Sequence, residues 1–412
     1  MRQICPRPRI GLVNLVHKPL KGDGGPTLVS FDAFAVTAPG LAPLVARELT
    51  TMGIVPREVS DAGVAFDADA ASLLRANLWS RMSSRVLVRL ATFEARDFAT
   101  LEKLATRMAW GRVLAPGSLA RLRVTCRKSR LYHSDAVAER IARGIERSIK
   151  GARVEAHSPD EEDADVATPA QLIVVRFDHD QCTISADSSG ELLHRRGWRQ
   201  AIAKAPLRET LAAAMLTACE WTGDVPLVDP FCGSGTIGIE AALMARNIAP
   251  GLNRTFALEQ WPGHDAMEAA RVRAEARAAM RPSNGVHIVL TDRDAGACEA
   301  TQANAERAGV LDDIAIAQQP LSETDLVAIG GTGLVLTNPP YGLRVSDGAD
   351  LRSLFARMGD VLRAGGKGWR LAMLVPDKQL SAQLRIPMDT RLRTSNGGIA
   401  VTVEMTRAKG TR

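Results

Sequence analysis

The sequence predicts an α/β chain in two parts: an α+β first half, then a second half built on a mainly parallel sheet with helices on both faces. Three observations predict it. At 412 residues and 46% apolar content, the chain exceeds one ordinary domain and can bury a sizeable core. From residue 227 onward, apolar runs alternate with helical stretches, the pattern of strand–helix–strand units. Before residue 190 the strands are short, the helices amphipathic and the charge strongly basic.

Residues 1–30 carry Pro, Gly and basic residues without lasting periodicity, and read as a disordered leader. Order is expected from "FDAFAVTAPGLAPLVARELTTMG". A strand over Phe34–Thr37 leads to a helix with Leu41, Leu44, Val45 and Leu49 on one face, ended by Gly53. "RVLVRLATFEA" reads as a strand. "SDAVAERIARGIERSIKG" reads as a helix capped by Ser134 or Asp135, with Val137, Ile141, Ile145 and Ile149 on its apolar face and Gly151 after it. "AQLIVVRFDHDQCTISAD" reads as two strands around an Asp-rich turn, and the acidic stretch 158–169 as a loop.

The net charge is +6, yet between Arg107 and Arg153 twelve Lys or Arg face three acids. Such a run is either a solvated helix face or a surface for a polyanion. "RLRVTCRKSRLYHSD" favours the second. An alternating strand through Arg123 runs into a loop where Arg127, Lys128, Arg130 and His133 can meet phosphates and Tyr132 can stack on a base. No apolar run reaches membrane-spanning length. The six cysteines are scattered without metal-ligand spacing. The chain reads as cytoplasmic, with neither metal nor disulfide expected.

In the second half the expected strands are "PLVDP", "TFALE", "VHIVLTD", "IAIAQ", "GLVLTNPP", "WRLAMLVP" and "GGIAVTVEMTR". In such sheets ligands bind at the carboxyl ends of the strands, and three ends carry chemistry. "LVDPFCGSGTIGIEAAL" ends a strand at Asp229, turns through Gly233 and Gly235, and opens a helix at Thr236. Glycines let the backbone approach a ligand, and a helix N-terminus offers amide hydrogens to an anion. The turn is not a P-loop, since no Gly-Lys-Ser/Thr follows. With Ile239 taken at the third small position, it also reads as departing from the dinucleotide fingerprint. With the carboxylate of Asp229 added to this turn, the motif suits a ligand bearing an ammonium group as well as a carboxylate, and an amino-acid moiety fits better than a pyrophosphate. The second end is Asp292, placed either to hold ribose hydroxyls or to cap the next helix; Asp294 is the more natural cap. The third is "TNPPY". The Asn338 amide oxygen and the Pro339 carbonyl can accept both hydrogens of one exocyclic amine. Pro339 and Pro340 stiffen the loop, and Tyr341 can stack on a flipped base.

These motifs resemble a class I S-adenosylmethionine-dependent methyltransferase of the Asn-Pro-Pro-Tyr type. "HRRGWRQAIAKAPLRETLAAAML", "NIAPGLNRTFALEQW", "NAERAGV" and "TSNGGIAVTVEM", with "LRVTCRKSRLYHSDAVAERI" upstream, resemble THUMP-domain RNA methyltransferases that make N2-methylguanine. The resemblance implies a Rossmann-like class I methyltransferase domain over 191–412, preceded by an α+β ferredoxin-like/THUMP RNA-binding region. That region divides into a ferredoxin-like module over 31–85 and a THUMP module over 86–190. S-adenosylmethionine is the implied cofactor, and structured RNA, ribosomal (23S) or transfer, the implied partner. Asp229, Gly233, Ser234, Gly235 and Thr236 would line the methionine end, with Glu240 a further candidate, and Asp292 would hold the ribose. Asn338, Pro339, Pro340 and Tyr341 would hold the target base. The family's acid near the adenine has no counterpart in "IAIAQQPLSE", where Gln319 is the candidate. Alternatives are an adenine-N6 methyltransferase on RNA or DNA with the same loop, a glutamine methyltransferase acting on protein, and a binding-only homologue.

Overall fold

The computed structural model describes residues 30–156, 170–200, 207–283, 285–340 and 351–407. The expected leader, the acidic loop 158–169 and Tyr341 therefore lie outside the described residues.

The first half is one eight-stranded sheet. In chain order its strands are β1 (Phe31–Val36), β2 (Pro56–Ser60), β3 (Gly63–Ala68), β4 (Arg85–Glu94), β5 (Leu119–Arg127), β6 (Arg153–Ala156), β7 (Gln171–Asp178) and β8 (Gln181–Asp187), in spatial order β2-β3-β1-β4-β8-β7-β5-β6. β4 pairs with β1 through Arg85–Val88 and with β8 through Leu87–Glu94. The expected module boundary at 85/86 thus falls on a strand shared by both sides. Helices α1 (Ala42–Thr51), α2 (Ala70–Trp79), α3 (Phe98–Thr106) and α4 (Ser134–Ser148) accompany this sheet. Asp69 and Asp97 cap α2 and α3 by accepting from the Ser72 and Thr100 backbone N–H groups, satisfying donors that have no intrahelical partner.

Two local expectations change here. The first strand starts at Phe31 rather than Phe34. The α4 cap position is His133, with no side-chain cap bond, rather than Ser134 or Asp135. The buried face of α4 is as expected: Val137, Ile141 and Ile145 are fully buried, a spacing that keeps them on one side of a helix.

The second half begins with α5 (Glu209–Ala218) and contains β9 (Leu227–Asp229), α6 (Thr236–Ala245), α7 (Ala266–Ala278), β10 (Ile288–Asp292), α8 (Ala295–Ala308), β11 (Ile314–Gln318), α9 (Leu326–Ile329), β12 (Thr332–Thr337), α10 (Leu351–Ala364), β13 (Gly368–Val375), α11 (Lys378–Ala382), β14 (Met388–Asn396) and β15 (Ile399–Thr406). The sheet order is β11-β10-β9-β12-β13-β15-β14. The first five are parallel; β15 runs antiparallel between β13 and β14. The chain winds outward from β9 to β11, then returns to the other side of β9 with β12. The switch point of this doubly wound sheet is therefore between β9 and β12, where such folds bind ligands.

"TFALE" is not a strand. Ala257–Gln260 is a 3-10 turn, closed by the Glu259 side chain accepting from the Phe256 N–H at 2.9 Å. β14 was not expected, and it pairs with β15 along its whole length.

The two halves share a core. Leu78 accepts a backbone hydrogen bond from Gly251, and Ser188 one from Leu258. Among the described residues, no helix is long and apolar enough to cross a membrane, and no group of three or more His, Cys, Asp or Glu is placed to hold a metal ion.

Candidate active site

The three strand ends singled out in the sequence belong to adjacent strands, β10, β9 and β12. Asp229 ends β9 and is 2% exposed. Its Oδ1 accepts from Thr337 Oγ1 at 2.6 Å and from the Phe231 N–H at 3.1 Å. Burial pushes its carboxyl up to about 7. The bonds from Thr337 and Phe231 oppose that shift, and the nearby Asp292 charge adds to it. A carboxylate so poorly compensated by the protein is suited to a cationic ligand group.

The loop after Asp229 is held from behind. Cys232 N–H donates to the Thr291 carbonyl at 3.0 Å. Gly233 N–H donates to Asp292 Oδ2 at 3.1 Å. From α8, Thr301 Oγ1 donates to the Gly233 carbonyl at 2.9 Å and Asn304 Nδ2 to the Ser234 carbonyl at 3.0 Å. Gly235 has φ +82°, and a Cβ there would lie 2.7 Å from Thr301 Cγ2. Thr236 opens α6, and its hydroxyl accepts from Arg199 at 2.8 Å. The reading of Ile239 as the third small position is corrected here. Gly233, Gly235 and Gly238 complete the G-x-G-x-x-G spacing. A Cβ on Gly238 would meet Leu290 Cδ2 at 2.4 Å, so this glycine seats α6 against β10.

Asp292 ends β10 and is not idle. Beyond the Gly233 bond, its Oδ1 accepts from the Asp294 N–H at 3.1 Å. Each oxygen keeps a lone pair for a further donor. Asp294 is the α8 cap, accepting from Gly296 N–H. Gln319 follows β11; its backbone N–H donates to the Asp292 carbonyl at 2.8 Å, and its side chain is half-buried.

Asn338 follows β12. Its Oδ1 is buried and has no hydrogen-bond partner among the described residues. Pro339 is buried and Pro340 half-buried. A buried amide oxygen without a donor is costly in a folded protein, and at the end of β12 it is available to a donor from a ligand.

Comparison with known proteins shows which family the chain belongs to. Residues 196–403 match the family model described as "RMKL-like, methyltransferase domain", and residues 32–87 the "RlmL ferredoxin-like domain". A Synechocystis protein named "Putative RNA methyltransferase slr0064" is 33% identical over 90% of this chain and 95% of its own length. The chain belongs to the RMKL-like methyltransferase family. A ribosomal RNA large subunit methyltransferase K/L of Syntrophotalea carbinolica is 35% identical over 89% of this chain; the match spans only 52% of that relative. The crystal structure of SMU.472 complexed with SAH has a TM-score of 0.82 at 28% identity, covering 93% of this chain and 99% of that one. A Listeria monocytogenes structure described as a "predicted N6-adenine-specific DNA methylase" has a TM-score of 0.78 at 29% identity, covering 91% and 96%.

Within this family frame, one expected site residue sits elsewhere. Glu240 is fully buried, and its Oε1 accepts from Arg196 Nε at 3.3 Å; Arg81 of the first half lies 3.9 Å from Oε2. Its carboxylate serves a charge cluster between the halves rather than the loop mouth. The residues expected to meet RNA lie on β5 and in the loop between β5 and α4. Arg127, Lys128, Arg130 and His133 are exposed, while Arg123, on β5, is half-buried. The Tyr132 and His133 rings touch in a tilted arrangement, 4.0 Å between centroids and 40° between planes, and Tyr132 is 67% exposed. Sequence reasoning missed Arg199, Thr301, Asn304 and Thr337, which position the loops.

Proposed function

We propose that this chain is an S-adenosylmethionine-dependent methyltransferase acting on the exocyclic N2 of a guanine in large-subunit ribosomal RNA. The observation that carries the reading is the unpartnered, buried Asn338 Oδ1, one residue beyond the Thr337 hydroxyl that bonds Asp229. The printed names of the relatives support the RNA substrate, although the chain spans about half the length of the K/L relatives.

The residues present fit the cofactor. Asp229 would take the ammonium of the methionine moiety, Gly233 to Thr236 would pass along its backbone, and Asp292 would take ribose hydroxyls. Gln319 would stand by the adenine. When bound, S-adenosylmethionine supplies an electrophilic methyl group on a sulfonium. Asn338 Oδ1 and the Pro339 carbonyl each accept one N–H of the target amine. This draws its lone pair out of the aromatic ring and aims it. With the methyl received and S-adenosylhomocysteine as the leaving group, the nitrogen would be cationic and keep its two original protons; one of these is acidic enough to leave to solvent, so no strong base is needed. Tyr341 is assigned the stacking role on sequence grounds.

The test uses purified protein, labelled S-adenosylmethionine, and total RNA and genomic DNA from a strain lacking the gene. N2-methylguanosine in large-subunit RNA is the expected product. The same loop also suits an adenine N6 amine, and the Listeria relative's description favours that second reading. Label in N6-methyladenine would select it. Label in neither polymer would remove the nucleic-acid reading.

A further inference from the structure

Beside α4 the first half carries a groove of about 660 Å³ lined by Phe98, Glu102, Lys103, Arg107, Arg140 and Arg147 among others. Its charge is organised. At 3.6 residues per turn, Arg140 and Arg147 are spaced by seven and fall on one side of α4, about 10 Å apart along the helix, and His133 stands at its cap position. Arg143 lies about 60° away and is paired with Glu139, while the acids Glu139, Glu146 and Asp135 fall about 100° to 140° from Arg140, beyond Arg143. The helix thus turns cations, not acids, toward α3. Gly144 permits this closeness, since a Cβ there would meet Ala105 Cβ at 2.8 Å.

Glu102 of α3 sits between the two ridge arginines. One of its oxygens accepts from Arg140 at 3.2 Å, the other from Arg147. Arg140 also lies over the Phe98 ring at 5.8 Å. The two guanidiniums are held side by side, one 31% and the other 60% exposed. Across the groove, Lys103 and Arg107 are exposed, and among the described residues neither has an ion-pair partner. Four cations against one acid are more than helix–helix packing requires. The ridge also continues, through His133, the exposed loop of Arg127, Lys128 and Arg130.

We infer that the α3–α4 groove is a second RNA contact, a phosphate-backbone track continuous with the β5–α4 loop. The inference rests on the RNA methyltransferase reading. Lys103 and Arg107 meet phosphates directly, and Arg140 and Arg147 turn their outward N–H groups to the same strand. The contact is electrostatic and independent of sequence.

The decisive variant is K103Q/R107Q, which leaves the Glu102 ion pairs and the methyltransferase half untouched. Binding to large-subunit RNA fragments is measured by filter retention across a salt series. Losing two phosphate contacts lowers the slope of log K against log salt by roughly 1.4 to 1.8, and affinity near 0.1 M by about thirtyfold. SAH affinity and the thermal melt stay at wild-type values. A variant with wild-type RNA affinity and slope overturns the inference, and if the wild type still methylates RNA, the function stands without it. A wild type that neither binds nor methylates RNA overturns both. Equal losses in RNA and SAH binding mean disturbed folding, and the decision passes to the single substitution Lys103→Glu: a loss of RNA binding with wild-type SAH affinity supports the groove. Wild-type RNA binding by that variant closes the question against it.

Discussion

Asp229→Asn separates binding from stability in opposite directions. In the protein without cofactor, burial holds the Asp229 carboxyl at about 7 instead of 3.8. A folded-state pKa above the unfolded one means the group favours folding most below pH 3.8. That contribution is lost as pH rises toward 7, and above 7 the ionised carboxylate is a standing cost. A shift of this size corresponds to at most about 4 kcal/mol. Asparagine keeps Oδ1 as the acceptor for Thr337 and Phe231 and removes the charge. The cofactor-free variant should therefore melt several degrees above wild type at pH 8, with the gap closing as pH falls from about 7 toward 3.8. Cofactor binding moves the other way, because the ammonium loses its counter-ion. For the wild type, only the ionised fraction binds, so SAH affinity should fall about tenfold between pH 8 and pH 6. In the variant affinity should be low and flat over that range. Differential scanning fluorimetry with and without SAH, across pH, reads both effects. A variant no more stable than wild type at pH 8 would refute the burial argument. A variant still stabilised by SAH would refute the ammonium assignment.

Three other outcomes are expected. Asn338→Ala should lower kcat by on the order of 10²–10³, the scale set by losing one aimed hydrogen-bonding group in a water-poor site, with RNA and SAH affinities within about twofold; single-turnover kinetics at saturating RNA would expose a variant that still works. Gly235→Ala meets both a positive φ and the Thr301 methyl, so it should cost about 1–3 kcal/mol and weaken SAH binding; calorimetry showing wild-type affinity would mean the loop tolerates a Cβ. Arg196→Ala leaves Glu240 buried with Arg81 alone and should destabilise by about 3–5 kcal/mol; a loss under 1 kcal/mol in urea unfolding would show that the cluster is not sustaining the fold.

Strand ends were the legible part of the site. An apolar run closing on Asp229, Asp292 or Thr337–Asn338 is a local signal, and the parallel order of β10, β9 and β12 then brings the three together. Support from behind was not legible. Thr301 and Asn304 look like ordinary polar residues of α8, and only the fold carries them to the carbonyls of Gly233 and Ser234. Glu240 misled for a related reason. It lies one turn beyond Thr236, so helix arithmetic places it near the loop, but its partners Arg81 and Arg196 are distant in sequence. "TFALE" has the alternation of a strand, yet Phe256 is buried at a turn that Glu259 closes and Arg273 holds at 2.6 Å. β14 escaped because Arg391 and Arg393 break its apolar character, and an edge strand needs apolar residues on only one face.

The charge cluster explains why one continuous body, rather than two tethered ones, carries the site. The turn after α2 is fastened to three partners. Ser80 Oγ and Arg81 N–H donate to the Glu48 carboxylate of α1 at 2.9 and 2.8 Å. The Arg81 side chain donates to the Ile248 carbonyl beyond α6 at 2.6 Å. Its backbone carbonyl accepts from Arg196, which also pairs with Glu240 of α6. Sliding the halves apart would leave at least one of these buried charges unpaired, and that cost exceeds what any single bond contributes. α6 is the helix whose N-terminus shapes the Asp229 loop. The first half is thereby held in fixed register to the helix that presents the cofactor loop, through groups that never touch the ligand.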